Sequence, residues 1–418
     1  MSHNAESITE PGRPAAASGL LGGGFPRAAE DGWVASLLLA FLSSAGLYYV
    51  NIFPVIVDSL MAGAGLSAAQ AGEITFANTV GAVIGAFCIS LLVRRIPRWK
   101  LAAACLLVAS IGMDLLTISL GNIELLKPLR LAHGILGGAL VGLGFAAIAR
   151  SGIAGRAYSM VLLVQYTGGA IGLLVLPGLV QQHGTYVPFY ALVTFSTLTL
   201  AMLPFVADYP LPRGAGKTLL PTDTEVGEAI AQERPSLTPM VITLGALFCF
   251  QFANMALFAF IFDLGKSFAL PLDFISQTLF WANLIAIGGA ALAAYTGQRF
   301  PLAAPLGIAL LITLLGLAMF AFSNIRPVFI LANIATGMTW AFCVPYLLTM
   351  ASRFDSAGQM GAFGGFASKM GLACGPLVAG YFISGGGSYT QLVGIACFML
   401  LVCMLALPSA ARLDRAQS

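Results

Sequence analysis

The side chains of this 418-residue chain that could do chemistry include a few charged groups inside long apolar segments. Lys369 lies about eleven residues into its segment, or roughly 16 Å deep at the rise of an α-helix. A charge inside a membrane costs at least ~2.5 kcal/mol on insertion scales, so it needs a partner or a task. Lys369 is therefore predicted to bind the carboxylate or phosphate of a substrate. The alternative is a structural ion pair or a hydrogen bond to helix carbonyls.

A second candidate site combines Asp114, Arg130 and His133. Adjacent antiparallel helices would bring Asp114 and Arg130 together, and two interpretations of that contact stay open. Either the buried pair is structural and neutralises itself, or protonation of Asp114 releases Arg130 to a substrate. His133 lies one turn from Arg130 on the same helix face, and imidazole titrates near neutrality. Asp114 and His133 are therefore the predicted proton-coupling residues, although His133 could instead be a hydrogen-bonding packing residue.

Polar side chains at helical spacing are predicted to line a cavity. Tyr48 and Asn51 are three residues apart, and Gln251 and Asn254 repeat that spacing about 203 residues later. Residues three apart share a helix face. A lipid-facing position would leave these polar groups without hydrogen-bond partners, so we expect both pairs to face an interior cavity and bind substrate.

The same offset extends the predicted cavity to other segments. Asn333 and Thr336 correspond to Arg130 and His133, and should face the cavity from the second half of the chain. Three weaker candidates for substrate binding are Gln165, Tyr166 and Trp281. The alternative for these three is interhelical hydrogen bonding, which is worth ~0.6 kcal/mol on average in membranes.

Other kinds of chemistry leave no signature in the sequence. We find no phosphate-binding glycine loop, no metal-ligand cluster, and no nucleophile with a base at a recognisable spacing. All seven cysteines fall within apolar segments, without the paired spacing of a metal site or a disulfide framework. The net charge of +3 is small and the basic residues are scattered through short loops, which argues against nucleic-acid binding. We therefore predict no enzyme activity, no cofactor, no metal and no nucleic-acid partner.

The composition indicates an all-α membrane protein, because 58% of the residues are hydrophobic and only 9% are charged. Apolar stretches repeatedly reach the length that crosses a bilayer. The twelve predicted transmembrane helices cover residues 33–62, 68–93, 99–120, 122–149, 157–181, 185–207, 238–265, 272–296, 303–323, 326–350, 358–384 and 388–408.

The chain divides into two related halves. The sequence Arg95-Ile96-Pro97 recurs as Arg299-Phe300-Pro301, and similar matches follow at offsets near 203 residues. Two related helical halves around a central cavity are typical of secondary transporters. The predicted units are a disordered tail (1–32), a six-helix half (33–207), a polar linker (208–237), a second six-helix half (238–408) and a short tail (409–418).

The basic residues predict the orientation. If the amino terminus is cytoplasmic, fifteen of the 20 Lys and Arg residues fall in cytoplasmic segments, as the positive-inside rule requires. Both termini and the linker should therefore lie in the cytoplasm. We expect a multi-pass protein of the plasma membrane, or of the cytoplasmic membrane in a bacterium.

The fourth predicted span contains Arg130-Leu131-Ala132-His133-Gly134, followed by Gly137-Gly138-Ala139. This segment is similar to the fourth-helix pattern of the major facilitator superfamily, with His133 at a position usually held by Gln, and the chain resembles that family over residues 33–408. The basic loop 94–100 resembles the loop between helices two and three. The resemblance implies two pseudo-symmetric six-helix halves and alternating access driven by an ion or solute gradient.

The leading functional prediction is proton-coupled uptake of a small organic anion, such as an aromatic or aliphatic carboxylate. Two cations facing a cavity, Arg130 and Lys369, would favour an anion over a cationic drug. One alternative is proton-coupled efflux of drugs or amphipathic compounds, with Asp114 as the proton carrier. Another is a membrane receptor that does not transport. Twelve helices suffice for a complete transport unit, so we expect a monomer.

Overall fold

A computed structural model describes residues 27–96, 98–121, 123–209, 237–297, 299–353 and 359–415. These residues form sixteen α-helices and no strand. The helices are α1 (Trp33–Ala45), α2 (Tyr48–Asn51), α3 (Phe53–Ala64), α4 (Ala68–Leu92), α5 (Trp99–Leu120), α6 (Ile123–Arg150), α7 (Ala154–His183), α8 (Val187–Met202), α9 (Leu237–Phe258), α10 (Ile261–Ser267), α11 (Leu272–Gly297), α12 (Ala303–Met319), α13 (Arg326–Ser352), α14 (Gln359–Ser384), α15 (Tyr389–Met404) and α16 (Leu407–Arg415). Most of the predicted tail (1–32) and linker (208–237) lies outside the described residues.

Membrane-spanning helices make up almost the whole described chain. Eleven helical stretches are long and apolar enough to cross a bilayer, and α1 and α3 are shorter apolar helices. Together α1, α2 and α3 form the first predicted span, which brings the number of crossings to twelve. Large apolar side chains such as Ile308, Leu315 and Phe398 are more than half exposed on the protein surface. The predicted all-helical, twelve-span membrane fold is confirmed.

The first and seventh predicted spans are broken rather than continuous. The first span divides at Gly46 and at Ile52, and the seventh divides between α9 and α10. Pro54 occupies the first turn of α3, where its missing N–H group is tolerated, so a new helix can begin there. Gly46 packs so closely on α6 that a Cβ atom there would lie 2.2 Å from the Gly137 carbonyl oxygen. Residues beside both breaks, such as Asn51 and Ile261, line an interior cavity.

Reciprocal glycine contacts bring α4 and α6 together within the first half. A Cβ atom at Gly134 would lie 2.0 Å from the Asn78 carbonyl oxygen, and one at Gly85 would lie 1.9 Å from the Ile135 carbonyl oxygen. Small residues permit this backbone-to-backbone approach in membranes. The side chain of Asn78 is thereby held against α6.

The two halves meet along α4 and α14 and along α7 and α11. They are closed at one end of the bundle, which we call the far end: the loops 64–68, 267–272 and 384–389. Lys266 donates to both carboxylate oxygens of Asp58 at 2.5 and 2.8 Å, which joins α10 to α3. The Ala69 amide donates to Ser384 Oγ at 2.8 Å. Gly380 lies so close to α4 that a Cβ atom would be 2.3 Å from the Ala68 carbonyl oxygen.

Both halves use an aspartate after the sixth span to hold the opposite end of the bundle, the terminal end. Asp208 pairs with Lys100 at 2.8 Å and with Arg27. Its counterpart Asp414, on α16, accepts hydrogen bonds at 2.8 and 2.9 Å from the backbone amides of Leu302 and Ala303 at the start of α12. The Lys100 hydrogen bond and the nearby positive charges hold the pKa of Asp208 below its ordinary value. The predicted tail from residue 409 is therefore helical as far as Arg415 and anchors the second half.

Candidate functional site

Two cavities lie between the halves. The central cavity, of about 150 Å³, is lined by α2, α7 and α9 to α13. The lysine cavity, of about 230 Å³, is lined by α2, α4, α6 and α14. Val50 lines both cavities, so its side chain lies where the two spaces meet. Eight of the thirteen predicted site residues line one of these two cavities, and the other five line neither.

Most of the predicted substrate-binding residues lie around the central cavity, which carries no ionisable side chain other than a tyrosine among its lining residues. The predicted residues that line it are Asn51, Gln165, Tyr166, Asn254, Asn333 and Thr336. They come from both halves, as the repeat predicted. The ring of Trp340 also lines the cavity, and its centroid is 6.5 Å from that of Tyr166 in an edge-to-face arrangement.

Two other predicted residues support the central cavity without lining it. Gln251 is 3% exposed and bridges two neighbours. Its Oε1 accepts from the Trp340 indole at 2.7 Å, and its Nε2 donates to Ser368 at 2.9 Å. The ring of Tyr48 stacks on Phe195 with centroids 4.6 Å apart. Both side chains are packed against protein, so we expect them to position the cavity walls.

Trp281 is placed differently from the prediction. Its side chain is 59% exposed and lines neither cavity, while Asn283 on the same helix lines the central cavity. Positions that are two residues apart in an α-helix differ by about 200° of rotation about the helix axis, so the side chains of Trp281 and Asn283 face nearly opposite directions. The expectation that Trp281 contributes to the cavity is therefore corrected in favour of Asn283.

Lys369 lies in the lysine cavity together with Asn78 and His133. Its side chain is exposed, although the residue lies in the middle of α14. Within the described part of the chain, no carboxylate oxygen lies within 4.0 Å of its ammonium group. The structural ion pair considered as the alternative for Lys369 is therefore not formed by the described residues.

Asp114 and Arg130 form a fully buried ion pair. The Arg130 Nη1 to Asp114 Oδ1 distance is 2.6 Å, and both side chains are 0% exposed. Arg130 also donates to the Met113 carbonyl at 3.2 Å and to the Thr117 hydroxyl. Its guanidinium carbon lies 4.9 Å from the centroid of the Phe189 ring. The Arg130 charge therefore faces its own ion pair and neither cavity.

His133 connects this ion pair to the lysine cavity. Asn78 Nδ2 donates to the Arg130 carbonyl oxygen at 3.1 Å and lies 3.0 Å from His133 Nδ1. A carbonyl oxygen can only accept, so the atom facing it is the amide nitrogen, and His133 Nδ1 must be the acceptor. The proton of the neutral imidazole then lies on Nε2, which is 3.4 Å from Asp114 Oδ2. His133 thus presents an N–H group to the buried carboxylate.

Several buried atoms in this cluster have no hydrogen-bond partner among the described residues: Asp114 Oδ2, Arg130 Nε and Tyr49 Oη. Buried polar atoms are normally paired, because leaving one unpaired costs about 1–3 kcal/mol. A carboxylate with one unpaired oxygen has an available position for a proton. Oδ2 can therefore accept a proton, and a doubly protonated His133 would be able to pass one to it from Nε2, which lies 3.4 Å away.

Sequence reasoning missed Asn78, Asn283 and Val50. A signal for the two asparagines was present, because α4 and α11 are equivalent second spans that begin 204 residues apart. Asn78 and Asn283 occupy nearly equivalent positions in them. Val50 is an ordinary apolar residue, and only its position in space distinguishes it.

Comparisons with known proteins give consistent results. A sequence model of the Major Facilitator Superfamily matches residues 36–370. The solved structure of the nucleoside transporter NupG is similar with a TM-score of 0.70 at 12% identity, over 91% of this chain and 98% of NupG. The xylose transporter XylE from E. coli, in an inward open conformation, gives 0.64 at 16% identity, over 89% of this chain and 94% of XylE. A D-xylose-proton symporter gives 0.63 at 16% identity, over 89% and 96%. No curated protein matches the sequence significantly.

Proposed function

Because this chain belongs to the major facilitator superfamily, and is thus a multi-pass membrane transporter rather than an enzyme, we propose that it couples protons to the uptake of a small organic anion. Its two halves would alternate in exposing a site between them to the two sides of the membrane. Lys369 provides the counter-charge for the anion, and Asp114 carries the proton.

The observation that carries this proposal is the position of Lys369. An ammonium group in the middle of a membrane helix faces a cavity, and no described carboxylate neutralises it. A charge held in this way favours a bound anion. Two cations were predicted to face a cavity, Arg130 and Lys369. Arg130 is paired with Asp114, so the proposal rests on Lys369 alone.

Proton coupling is supported by the geometry around Asp114. The carboxylate is sealed at 0% exposure, yet its unpaired Oδ2 lies 3.4 Å from His133, which lines the lysine cavity. A proton on Asp114 would remove the counter-ion of Arg130 and destabilise the buried pair. A structurally similar protein is named as a proton symporter, which is compatible with this proposal.

The conformation fits an uptake cycle viewed from its inward-facing state. The far end is closed by the Asp58–Lys266 ion pair and by the close contact at Gly380. With both termini in the cytoplasm, as the basic residues favour, the far end would be the external side. We propose that a single chain carries out the whole cycle.

The test is uptake of radiolabelled organic anions by the purified protein in liposomes, with an imposed pH gradient. We expect Lys369→Ala to abolish uptake and Lys369→Arg to retain part of it. Arg326→Gln is the matched control, because it removes one exposed positive charge away from both cavities. If Lys369→Ala transports as well as the unaltered protein, the anchoring role is rejected.

Two other functions give different results in the same system. An efflux antiporter for amphipathic compounds would raise the resistance of cells that express it, and this would depend on Asp114. A receptor would bind ligand without any flux into liposomes.

A further inference from the structure

We propose that the central cavity binds a ligand rich in hydrogen-bond donors, so that the transported anion is a hydroxylated carboxylate rather than a plain aliphatic or aromatic acid. The inference rests on the proposed function for the charge at Lys369. The preference for donors comes from the central cavity alone.

Three asparagines on three helices have the same side-chain arrangement. Asn254, Asn283 and Asn333 each donate from Nδ2 to the backbone carbonyl four residues earlier, at 2.8, 2.9 and 2.8 Å. A carbonyl oxygen cannot donate, so the nitrogen must face the helix backbone. The Oδ1 atoms accept no hydrogen bond from the described residues, and all three residues line the central cavity.

The first half adds a fourth side chain of this kind. Asn51 Nδ2 donates to the Gln165 carbonyl oxygen at 3.2 Å, which again spends one N–H on backbone and leaves Oδ1 without a described donor. An ideal Cβ atom at Gly169 would lie 3.2 Å from Asn51 Cβ and 3.7 Å from Asn283 Oδ1. Amides from both halves therefore approach one another beside this glycine.

Two of the donors in the central cavity, the Thr336 hydroxyl and the Trp340 indole N–H, are spent on protein acceptors. The Thr336 hydroxyl donates to the Ala332 carbonyl at 2.7 Å, which leaves its oxygen as an acceptor. The Trp340 indole N–H donates to Gln251 at 2.7 Å. Each asparagine oxygen has two lone pairs, against one remaining N–H. Gln165 and Tyr166 keep their own donors, but lone pairs still outnumber N–H and O–H hydrogens in the lining, so a ligand with hydroxyl groups suits this cavity.

The proposed ligand would span both cavities. Val50 lines both, so the spaces are neighbours. Gln251 links their walls, because it bonds Trp340 of the central cavity and Ser368, the residue before Lys369. A carboxylate at Lys369 would place a hydroxylated body past Val50 and among the asparagine oxygens.

Three six-carbon probes separate the contributions: D-gluconate, hexanoate and D-glucitol. Their affinities for the purified full-length protein would be measured by titration calorimetry. Each hydrogen bond to a neutral group contributes about threefold to tenfold in affinity. We expect D-gluconate to bind at least about tenfold more tightly than hexanoate, since two or more such bonds are gained.

Variants assign the effect to the asparagines. Asn333→Leu keeps the side-chain size and should weaken D-gluconate about threefold to tenfold while leaving hexanoate unchanged. Asn283→Leu is the second variant in case the first does not fold. Thr243→Val is the matched control, because Thr243 makes the same kind of bond to a backbone carbonyl on α9 but lines neither cavity.

The outcomes distinguish this inference from the proposed function. Equal binding of D-gluconate and hexanoate, both lost in Lys369→Ala, would overturn the donor preference and keep the anion site. Equal binding of D-gluconate and D-glucitol, unchanged in Lys369→Ala, would support the donor preference and reject the anion. If neither hydroxylated probe binds more tightly than hexanoate, the inference is rejected.

Discussion

Replacing Asp114 by Asn tests the buried charge cluster directly. The substitution keeps the size of the side chain and removes its charge, so Arg130 is left without a counter-ion at 0% exposure. Breaking a buried pair in this way costs about 3–5 kcal/mol. Arg130 keeps its bonds to Met113 and Thr117 and its contact with Phe189. We therefore expect the free energy of unfolding to fall by about 3 kcal/mol, which changes the unfolding equilibrium constant roughly a hundredfold.

The assay is reversible unfolding of the purified protein in detergent, with tryptophan fluorescence as the probe of the transition. The double variant Asp114→Leu with Arg130→Met is the essential comparison. Replacing both charges by apolar groups of similar volume is often neutral or stabilising, so the double variant should regain most of the lost stability. If the unfolding free energy of Asp114→Asn is within about 0.5 kcal/mol of that of the unaltered protein, the cost assigned to breaking this buried ion pair is wrong.

Transport by the stable double variant then decides between the two interpretations of the pair. A structural ion pair predicts uptake with unaltered dependence on pH. A proton site predicts that the double variant loses the response to a pH gradient, while exchange of labelled substrate across the membrane continues. Unaltered pH dependence in this variant would reject Asp114 as the proton carrier.

Three further predictions concern other parts of the molecule. Gly380→Ala should push α4 and α14 apart at the far end, which spin-label distances between the halves would measure, and should slow uptake. Gly394→Ala should change neither the distances nor the uptake rate, because a Cβ atom there meets open space. The pKa of Asp208 is lowered chiefly by its hydrogen bond from Lys100, so Asp208 should stabilise the fold at neutral pH, and this stabilisation should be lost as the pH falls through the folded-state pKa. Asp208→Asn should remove this pH dependence of the unfolding free energy, with an effect of at most about 1 kcal/mol. Trp281→Ala should leave the uptake rate unaltered, and a large loss of uptake would contradict its placement outside both cavities.

The repeat made much of the fold predictable. Composition and apolar length indicated twelve spans, and the offset between halves identified polar positions that now line one cavity, among them Asn51, Asn254 and Asn333. These inferences depend only on which residues occupy a helix and at what spacing. Such information is present in the sequence, because helical periodicity is fixed by backbone geometry.

The rotation of each helix about its axis was harder to predict. Trp281 and Asn283 are both plausible cavity residues by type, and only packing selects the one that faces inward. Arg130 was expected to face the substrate, but the reciprocal glycine contacts between α4 and α6 fix the rotation of α6. That rotation points Arg130 toward Asp114 and turns His133 toward the lysine cavity. Such contacts join residues that are far apart in the sequence, so local sequence patterns do not reveal them.

The separation of the ion pair from Lys369 explains how a proton and an anion could favour one another. With Asp114 ionised, the pair is neutral and the positive charge of the site is that of Lys369. A proton on Asp114 leaves Arg130 uncompensated, with His133 between the pair and the lysine cavity. An anion in that cavity then offsets more positive charge than before, and the low dielectric of the interior strengthens the effect. Linkage requires the reverse as well, so bound anion must raise the affinity of the protein for the proton by the same factor. Measuring anion affinity at two pH values therefore measures the coupling, and an affinity that does not change with pH would exclude it.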